Sequence, residues 1–209
     1  MSTWIGGKAG PVSRRGFLLT SAVTSTGATL VQASTAILGA GSAMAGETNQ
    51  IGPGATPVTL RVNGSVRTLQ IEPRMTLAEV LRGPLGLTGT KISCNRGACA
   101  ACTVWLDKAP ICSCMMLAVE VGDRNITTIE GLARGEELHP VQAAFIDHDA
   151  VQCGFCTSGM VMGCASLVER NPNPTADDVK TAISGHICRC GTYPHVVAAT
   201  LAAAKTGRP

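Results

Sequence analysis

The sequence has no surplus of one charge once its first 45 residues are set aside. Lys8, Arg14 and Arg15 are the basic residues of that segment, and removing them from the 17 basic residues leaves 14, against 14 acidic residues. Nucleic acids and anionic membranes are bound through basic patches. We therefore expect no nucleic-acid partner and no direct membrane insertion for the remaining chain.

Charge is also absent between Gly16 and Ala45. This stretch follows the twin-arginine export signature Ser13-Arg-Arg-Gly-Phe-Leu18 and ends on Ala43-Met-Ala45, a small-residue cleavage site. We interpret residues 1–45 as a twin-arginine signal peptide, and we expect a periplasmic protein that is exported already folded. An uncleaved anchor is the alternative, because about 30 uncharged residues can span a bilayer, but Ser, Thr and Gly dominate the stretch.

Short strands and one short helix are predicted after a Gly/Pro-rich linker at 46–56. Residues 58–62 and 66–71 alternate as strands around Asn63-Gly64, a strong hairpin signal. Thr76 is placed to cap a helix over 77–82, and further strands are expected at 103–106, before a turn at Asp107-Lys108, and at 126–129. A mixed sheet crossed by one helix is a β-grasp arrangement, and we expect this domain to cover residues 57–132.

Residues 133–209 have a helical pattern instead. Apolar residues recur at helical spacing over 140–149, 158–169, 175–184 and 193–204, and Asn171-Pro-Asn-Pro174 separates two of these segments. Thr175 with Asp178 resembles a capping box. The sequence thus predicts an α+β chain, with the sheet domain followed by a C-terminal four-helix bundle.

The ten cysteines fall into two groups, and the first has the spacing of an iron–sulfur site. Cys94-x4-Cys99-x2-Cys102 is the spacing of plant-type [2Fe–2S] ferredoxins, whereas zinc sites favour paired C-x2–4-C knuckles. The loop side chains are small, as a wrapped cluster requires. Both Cys112 and Cys114 could supply the fourth thiolate.

The second group is ambiguous when it is considered alone. Cys153-x2-Cys156 precedes a predicted helix, and Cys188-x-Cys190 must form a turn if both thiolates face one metal, since residues i and i+2 lie on different faces of a helix. Zinc and iron fit this pattern equally well. A thioredoxin-like redox pair is disfavoured because no βαβ pattern surrounds the motif.

Several long motifs resemble those of the iron–sulfur subunit of the molybdenum hydroxylases, the xanthine dehydrogenase and aldehyde oxidoreductase family. They are GLTGTKISCNRGACAACTV, SCMMLAV, TTIEGL, LHPVQAAFIDHDAVQCGFCTSGMVM and ISGHICRCGTYPHV. The resemblance covers about residues 57–204. With the export signature, the chain looks most like the small subunit of periplasmic aldehyde oxidoreductases.

The resemblance implies a role for each cysteine ligand. Four cysteines match the ligands of a plant-type cluster near the surface, and four match those of a cluster beside the molybdopterin; they are Cys94, Cys99, Cys102 and Cys114, then Cys153, Cys156, Cys188 and Cys190. Gln152 matches a glutamine that contacts the pterin, and Cys190 the ligand closest to the pterin amino group. Ser93, Ala100 and Lys108 depart from the pattern, which usually has glycine there; a left-handed backbone at these positions would cost about 1 kcal/mol each.

The resemblance also implies a role within a complex. The chain is expected to be a non-catalytic subunit that carries electrons from a molybdopterin-binding large subunit, through two [2Fe–2S] clusters, to an FAD subunit or a c-type cytochrome with haem. We expect the complex to oxidise aldehydes to carboxylic acids. Hydroxylation of N-heteroaromatic compounds is the alternative, and a stand-alone ferredoxin is the alternative from a different class.

Overall fold

The computed structural model describes residues 51–206, which belong to one compact unit; the predicted signal peptide and the first part of the linker lie outside them. Five strands lie within these residues: β1 (Thr56–Val62), β2 (Ser65–Ile71), β3 (Thr103–Leu106), β4 (Ala109–Cys112) and β5 (Asn125–Thr127). Five helices accompany them: α1 (Leu77–Arg82), α2 (Pro140–Asp147), α3 (Thr157–Arg170), α4 (Ala176–Ala182) and α5 (Tyr193–Thr206). No helix within 51–206 is both long and apolar enough to cross a membrane.

The strands form one mixed sheet in the order β2-β1-β5-β3-β4. The pair β1–β5 is parallel, and the other neighbours are antiparallel. Asn63 and Gly64 close the first hairpin with φ angles of 49° and 77°, the left-handed values that a tight two-residue turn requires. The α+β class and the mixed sheet with one crossing helix are therefore confirmed.

Strand β3 is the element that joins the sheet to the helical part. All four of its residues are buried, because α1 and the 3₁₀ turn Ala118–Glu120 pack on one face and α3 packs on the other. Val104 and Leu106 pack in the core of the sheet, whereas Trp105 packs in the helical core. The Trp105 indole N–H donates to the Met162 carbonyl at 2.8 Å, so the two parts share a polar contact as well as an apolar one.

The helix starts follow local capping chemistry. Thr76 and Thr175 each accept the N–H of the residue three positions on, and Glu79 and Asp178 return a bond to the cap N–H, so both are capping boxes. His139 caps α2 through its Nδ1, which accepts the Val141 N–H at 3.2 Å. Each of these three capped helices is followed by a loop that carries cysteines.

Three residues stand where the family pattern usually has glycine, and two of them have a left-handed backbone. Ala100 has a φ of 55° and Lys108 a φ of 70°, while Ser93 has no positive φ. Lys108 lies in the β3–β4 turn, and its ammonium is 3.7 Å from the Glu169 carboxylate on the surface.

Lys108→Gly is expected to stabilise the fold by about 1 kcal/mol, because glycine adopts this backbone without the steric cost of a Cβ. An exposed ion pair of this kind contributes about 0–1 kcal/mol. Lys108→Ala is the matched control, because it removes the ion pair and keeps the Cβ. Thermal denaturation followed by circular dichroism should give a higher midpoint for the glycine variant than for the alanine variant; equal midpoints would show that the turn is not strained.

Candidate iron–sulfur sites

The first three cysteines lie on the loop between α1 and β3. Asn95, Gly97 and Ala100 have φ angles of 49°, 71° and 55°, and these left-handed residues wind the loop tightly. Gly97 has no room for a side chain, since a Cβ there would lie 2.8 Å from Cγ of Met115. The loop therefore closes against the segment that carries the fourth cysteine.

Backbone N–H groups of this loop point at cysteine sulfurs. The Ala98 N–H donates to Sγ of Cys94, and the Gly97 N–H donates to Sγ of Cys114, each at 3.3 Å. Such bonds stabilise negative charge on sulfur, and they are what a thiolate-bound cluster requires of its loop. The donor set and the loop thus fit a [2Fe–2S] group.

Cys112 and Cys114 have opposite hydrogen-bonding environments. Cys114 is buried in the 3₁₀ turn Ser113–Met115 and accepts an N–H bond. Cys112, at the end of β4, faces the Gly97 carbonyl oxygen at 3.8 Å. A carbonyl oxygen pairs with a protonated thiol and repels a thiolate, so the geometry favours Cys114 as the ligand.

The thiols of the first site influence one another. Cys94 interacts with Cys99, and Cys114 interacts with both Cys102 and Cys94. The backbone N–H of Arg96 and the neighbouring Cys99 thiol lower the pKa of Cys94 to about 7, whereas burial raises the pKa of Cys114 to about 11. Four mutually interacting thiols are the ligand set that a [2Fe–2S] cluster requires.

The second site is built from two turns, each placed directly before a helix. Cys153 and Cys156 precede α3, and Cys188 and Cys190 lie in the turn before α5, as predicted. Gly154 and Gly191 have φ angles of 81° and 76° and reverse the two turns. The cysteines on these separate turns are thereby brought together.

Here too the thiols influence one another: Cys153 interacts with Cys190 and Cys156 with Cys188, and Cys153 also interacts with both Cys156 and Cys188. Burial raises the pKa of Cys156 to about 12. Burial also opposes ionisation of Cys188, but the hydroxyl and backbone N–H of Thr192 outweigh it and lower the Cys188 pKa to about 7. Within 51–206 no three His, Cys, Asp or Glu side chains are grouped so that they could hold one metal ion.

Comparison with known proteins agrees with these two sites. Residues 60–137 match the family described as 2Fe-2S iron-sulfur cluster binding domain, and residues 128–201 match the [2Fe-2S] binding domain family. The aldehyde oxidoreductase iron-sulfur-binding subunit PaoA of Escherichia coli (strain K12) is 41% identical over 162 residues, which cover 70% of this chain and 71% of that subunit. The nicotine 6-hydroxylase small subunit of Paenarthrobacter nicotinovorans is 45% identical over 144 residues, covering 69% and 87%.

The solved structure of quinoline 2-oxidoreductase from Pseudomonas putida 86 contains a chain with a TM-score of 0.68 and 42% identity, which covers 74% of this chain and 99% of that one. The chain belongs to the iron–sulfur small subunits of the molybdenum hydroxylases. The resemblance inferred from the motifs is thereby confirmed.

The two sites of this small subunit are in direct backbone contact. The Ile187 N–H donates to the Cys99 carbonyl at 3.1 Å. Cys99 belongs to the first site and Ile187 directly precedes Cys188 of the second, so this hydrogen bond links the two sites. Thr103 Oγ1 is 3.3 Å from His186 Nε2, and a Cβ on Gly163 would lie 2.9 Å from the His186 ring. The sequence analysis did not predict this contact between the two sites. The available signal for it was a pair of glycines four residues apart on α3, Gly159 and Gly163.

The surface around the second site is apolar and exposed. Phe155 and Ile187 are 48% and 58% exposed, and Val151 and Gln152 are also exposed. From the sequence, Met160, Val161 and Val197 are apolar residues expected to help form the contact with a large subunit. The expectation is wrong for Met160 and Val161, which are buried in the helical core, whereas Val197 is half-buried against that core. Every residue of α3 from Gly159 to Leu167 is buried, so no face of that stretch is left for a partner.

The histidines and Cys164 are not expected to be cluster ligands, because eight other cysteines fill the two sites and Cys164 lies at apolar helical spacing. The structure gives them structural positions. His139 caps α2, and Nδ1 of His195 is 2.9 Å from the His148 carbonyl. Cys164 is fully buried in the helical core, as expected for a core thiol.

Proposed function

We propose that this chain is the electron-transfer subunit of a molybdenum hydroxylase that oxidises aldehydes to carboxylic acids. The observation that carries the role is the presence of two four-cysteine sites, which the Ile187–Cys99 hydrogen bond joins. When bound, two [2Fe–2S] clusters supply one-electron acceptors. Converting an aldehyde and water to a carboxylic acid releases two protons and two electrons. Because each cluster accepts one electron, two clusters can together accept both.

We assign the first cluster to Cys94, Cys99, Cys102 and Cys114, and the second to Cys153, Cys156, Cys188 and Cys190. The N–H bonds to Cys94 and Cys114 support the first assignment. The pairing of thiols across two turns supports the second. We further propose that Gln152 and Cys190 contact the molybdopterin of the large subunit; Gln152 is exposed and adjoins the second site.

We propose a division into a signal peptide at 1–45, a linker at 46–56, a β-grasp ferredoxin-like domain at 57–132 and a four-helix bundle domain at 133–209, the bundle consisting of α2 to α5. The change from sheet to helices after the 3₁₀ turn Ile129–Gly131 supports the internal boundary. The periplasm is the proposed compartment, with an FAD subunit or a c-type cytochrome as electron acceptor. Arg14 and Arg15 support export.

Purification from the native host tests the role. A tagged chain is expected to bring down a large subunit with molybdenum, and the complex should contain about four irons and equal labile sulfide per copy of this chain. A stand-alone ferredoxin would purify as a monomer without molybdenum. Full activity in cells that lack this chain would also contradict the proposal.

Turnover tests the substrate. The complex is expected to oxidise aldehydes in preference to N-heteroaromatic compounds. Hydroxylation of N-heteroaromatic compounds is favoured by one specific observation, the 45% identity to a nicotine 6-hydroxylase small subunit, and activity confined to N-heterocycles would establish it.

Fractionation of the cells tests export. The activity should be found in the periplasmic fraction and should move to the cytosol in a variant with Arg14→Lys and Arg15→Lys.

A further inference from the structure

A threonine hydroxyl lies against one of the second-site sulfurs. Thr192 Oγ1 is 3.4 Å from Sγ of Cys188, and Cys188 is 8% exposed. Either atom could donate while Cys188 is a thiol. A metal-bound thiolate carries no proton, so in the cluster-bound protein the hydroxyl is the only possible donor of the two.

Both ends of this contact are held in place. The Thr192 carbonyl accepts the Val196 N–H at 3.0 Å, which fixes Thr192 at the start of α5. The Cys188 N–H donates to the Tyr193 hydroxyl at 2.8 Å, and that hydroxyl donates to the His186 carbonyl at 3.0 Å. The turn cannot carry Cys188 away from Thr192 without breaking these bonds.

The first site is different in this respect. Its sulfurs accept bonds from the backbone N–H groups of Gly97 and Ala98, and no side-chain hydroxyl donates to them among the hydrogen bonds formed within 51–206. A side-chain donor is open to change by substitution, whereas a backbone donor is not. Thr192 is therefore in contact with a sulfur of the second site and with none of the first.

We propose that Thr192 is a positioning residue that raises the reduction potential of the second [2Fe–2S] cluster through its hydrogen bond to Cys188. The proposal rests on the function proposed above, in which Cys188 is a ligand. Reduction adds negative charge to the cluster and its thiolates, and a hydrogen-bond donor stabilises the more negative state. The higher potential makes this site a better acceptor of electrons from the partner subunit.

Redox titration of the purified complex, followed by EPR spectroscopy, tests this with Thr192→Val. Valine keeps the shape and removes the hydroxyl. We expect the equilibrium constant for reduction of the second cluster to fall about tenfold, which is about 59 mV for one electron. The first cluster is the internal control, and its potential should not change. Thr192→Ser keeps the hydroxyl and should retain the wild-type potential.

The possible failures are distinguishable. A wild-type complex with fewer than two EPR signals would contradict the proposed function. Two intact signals with the same potentials in wild type and Thr192→Val would overturn the role of Thr192 alone. If the valine variant does not retain its second cluster, Thr192→Ala and Thr192→Ser make the same comparison with smaller side chains, and equal potentials in that pair would overturn the proposal.

Discussion

Cys114→Ala is expected to remove the first [2Fe–2S] cluster, about two of about four irons per chain, whereas Cys112→Ala should leave both clusters in place. The reason is the orientation of the two sulfurs: Cys114 accepts the Gly97 N–H at 3.3 Å, and Cys112 faces the Gly97 carbonyl at 3.8 Å. Iron and labile sulfide analysis, with EPR spectra of the reduced complex, measures the outcome. One of the two EPR signals should disappear in the Cys114 variant only.

The double variant with Cys112→Ala and Cys114→Ala is the control for ligand exchange, in which Cys112 replaces Cys114 as a ligand of the first cluster. Cys112 interacts with Cys102, as Cys114 does, so Cys112 is near enough to replace a missing neighbour. If Cys114→Ala keeps its first cluster and the double variant loses it, Cys112 has substituted for Cys114. Loss of the first cluster in Cys112→Ala with retention in Cys114→Ala would show that the ligand assignment is wrong.

Features set by a few neighbouring residues were predictable from the sequence. The Asn63-Gly64 turn depends on two residues that tolerate a left-handed backbone, and the Thr76 and Thr175 caps depend on a hydroxyl beside free N–H groups. The Cys94-x4-Cys99-x2-Cys102 loop belongs to the same class, since its spacing is typical of a [2Fe–2S] loop. The second cysteine group does not, because its spacing fits zinc as well as iron and only the family resemblance indicated a cluster there. The turn at Cys188-x-Cys190 was predictable because residues i and i+2 lie on different faces of a helix and could not both face one metal group.

Features that depend on distant residues were not predictable in the same way. Strand β4 was missed because its four residues, Ala109–Cys112, are exposed or half-buried and include a proline. The parallel pair β1–β5 joins segments about 60 residues apart. The exposure of Met160 and Val161 was predicted wrongly because an apolar stripe does not reveal that other elements cover the remaining faces of α3. The role proposed for the Thr192 hydroxyl depends on its distance to Cys188, which only the folded structure shows.

Gly159→Ala is expected to disrupt the junction between the two sites. A Cβ at this position would overlap the Ala100 carbonyl oxygen and would lie 3.1 Å from Cα of Ala101, both backbone atoms of the first-site loop. Glycine inside a helix costs about 1 kcal/mol relative to alanine, so the substitution would stabilise an isolated helix. In the protein, the overlap must push α3 away from the loop, and overpacking of this kind costs about 1–3 kcal/mol.

We therefore expect a lower unfolding midpoint and a weaker or altered EPR signal from the first cluster in Gly159→Ala. Gly163→Ala, four residues along the same helix, is the matched comparison, because its Cβ would meet the His186 ring at 2.9 Å, a side chain that can shift. The gain in helix propensity is the same for both variants, so the difference between them isolates the backbone overlap. A Gly159→Ala protein as stable as wild type, with an unchanged first-cluster signal, would show that the loop yields at little cost and that close approach at this glycine does not hold the two sites together.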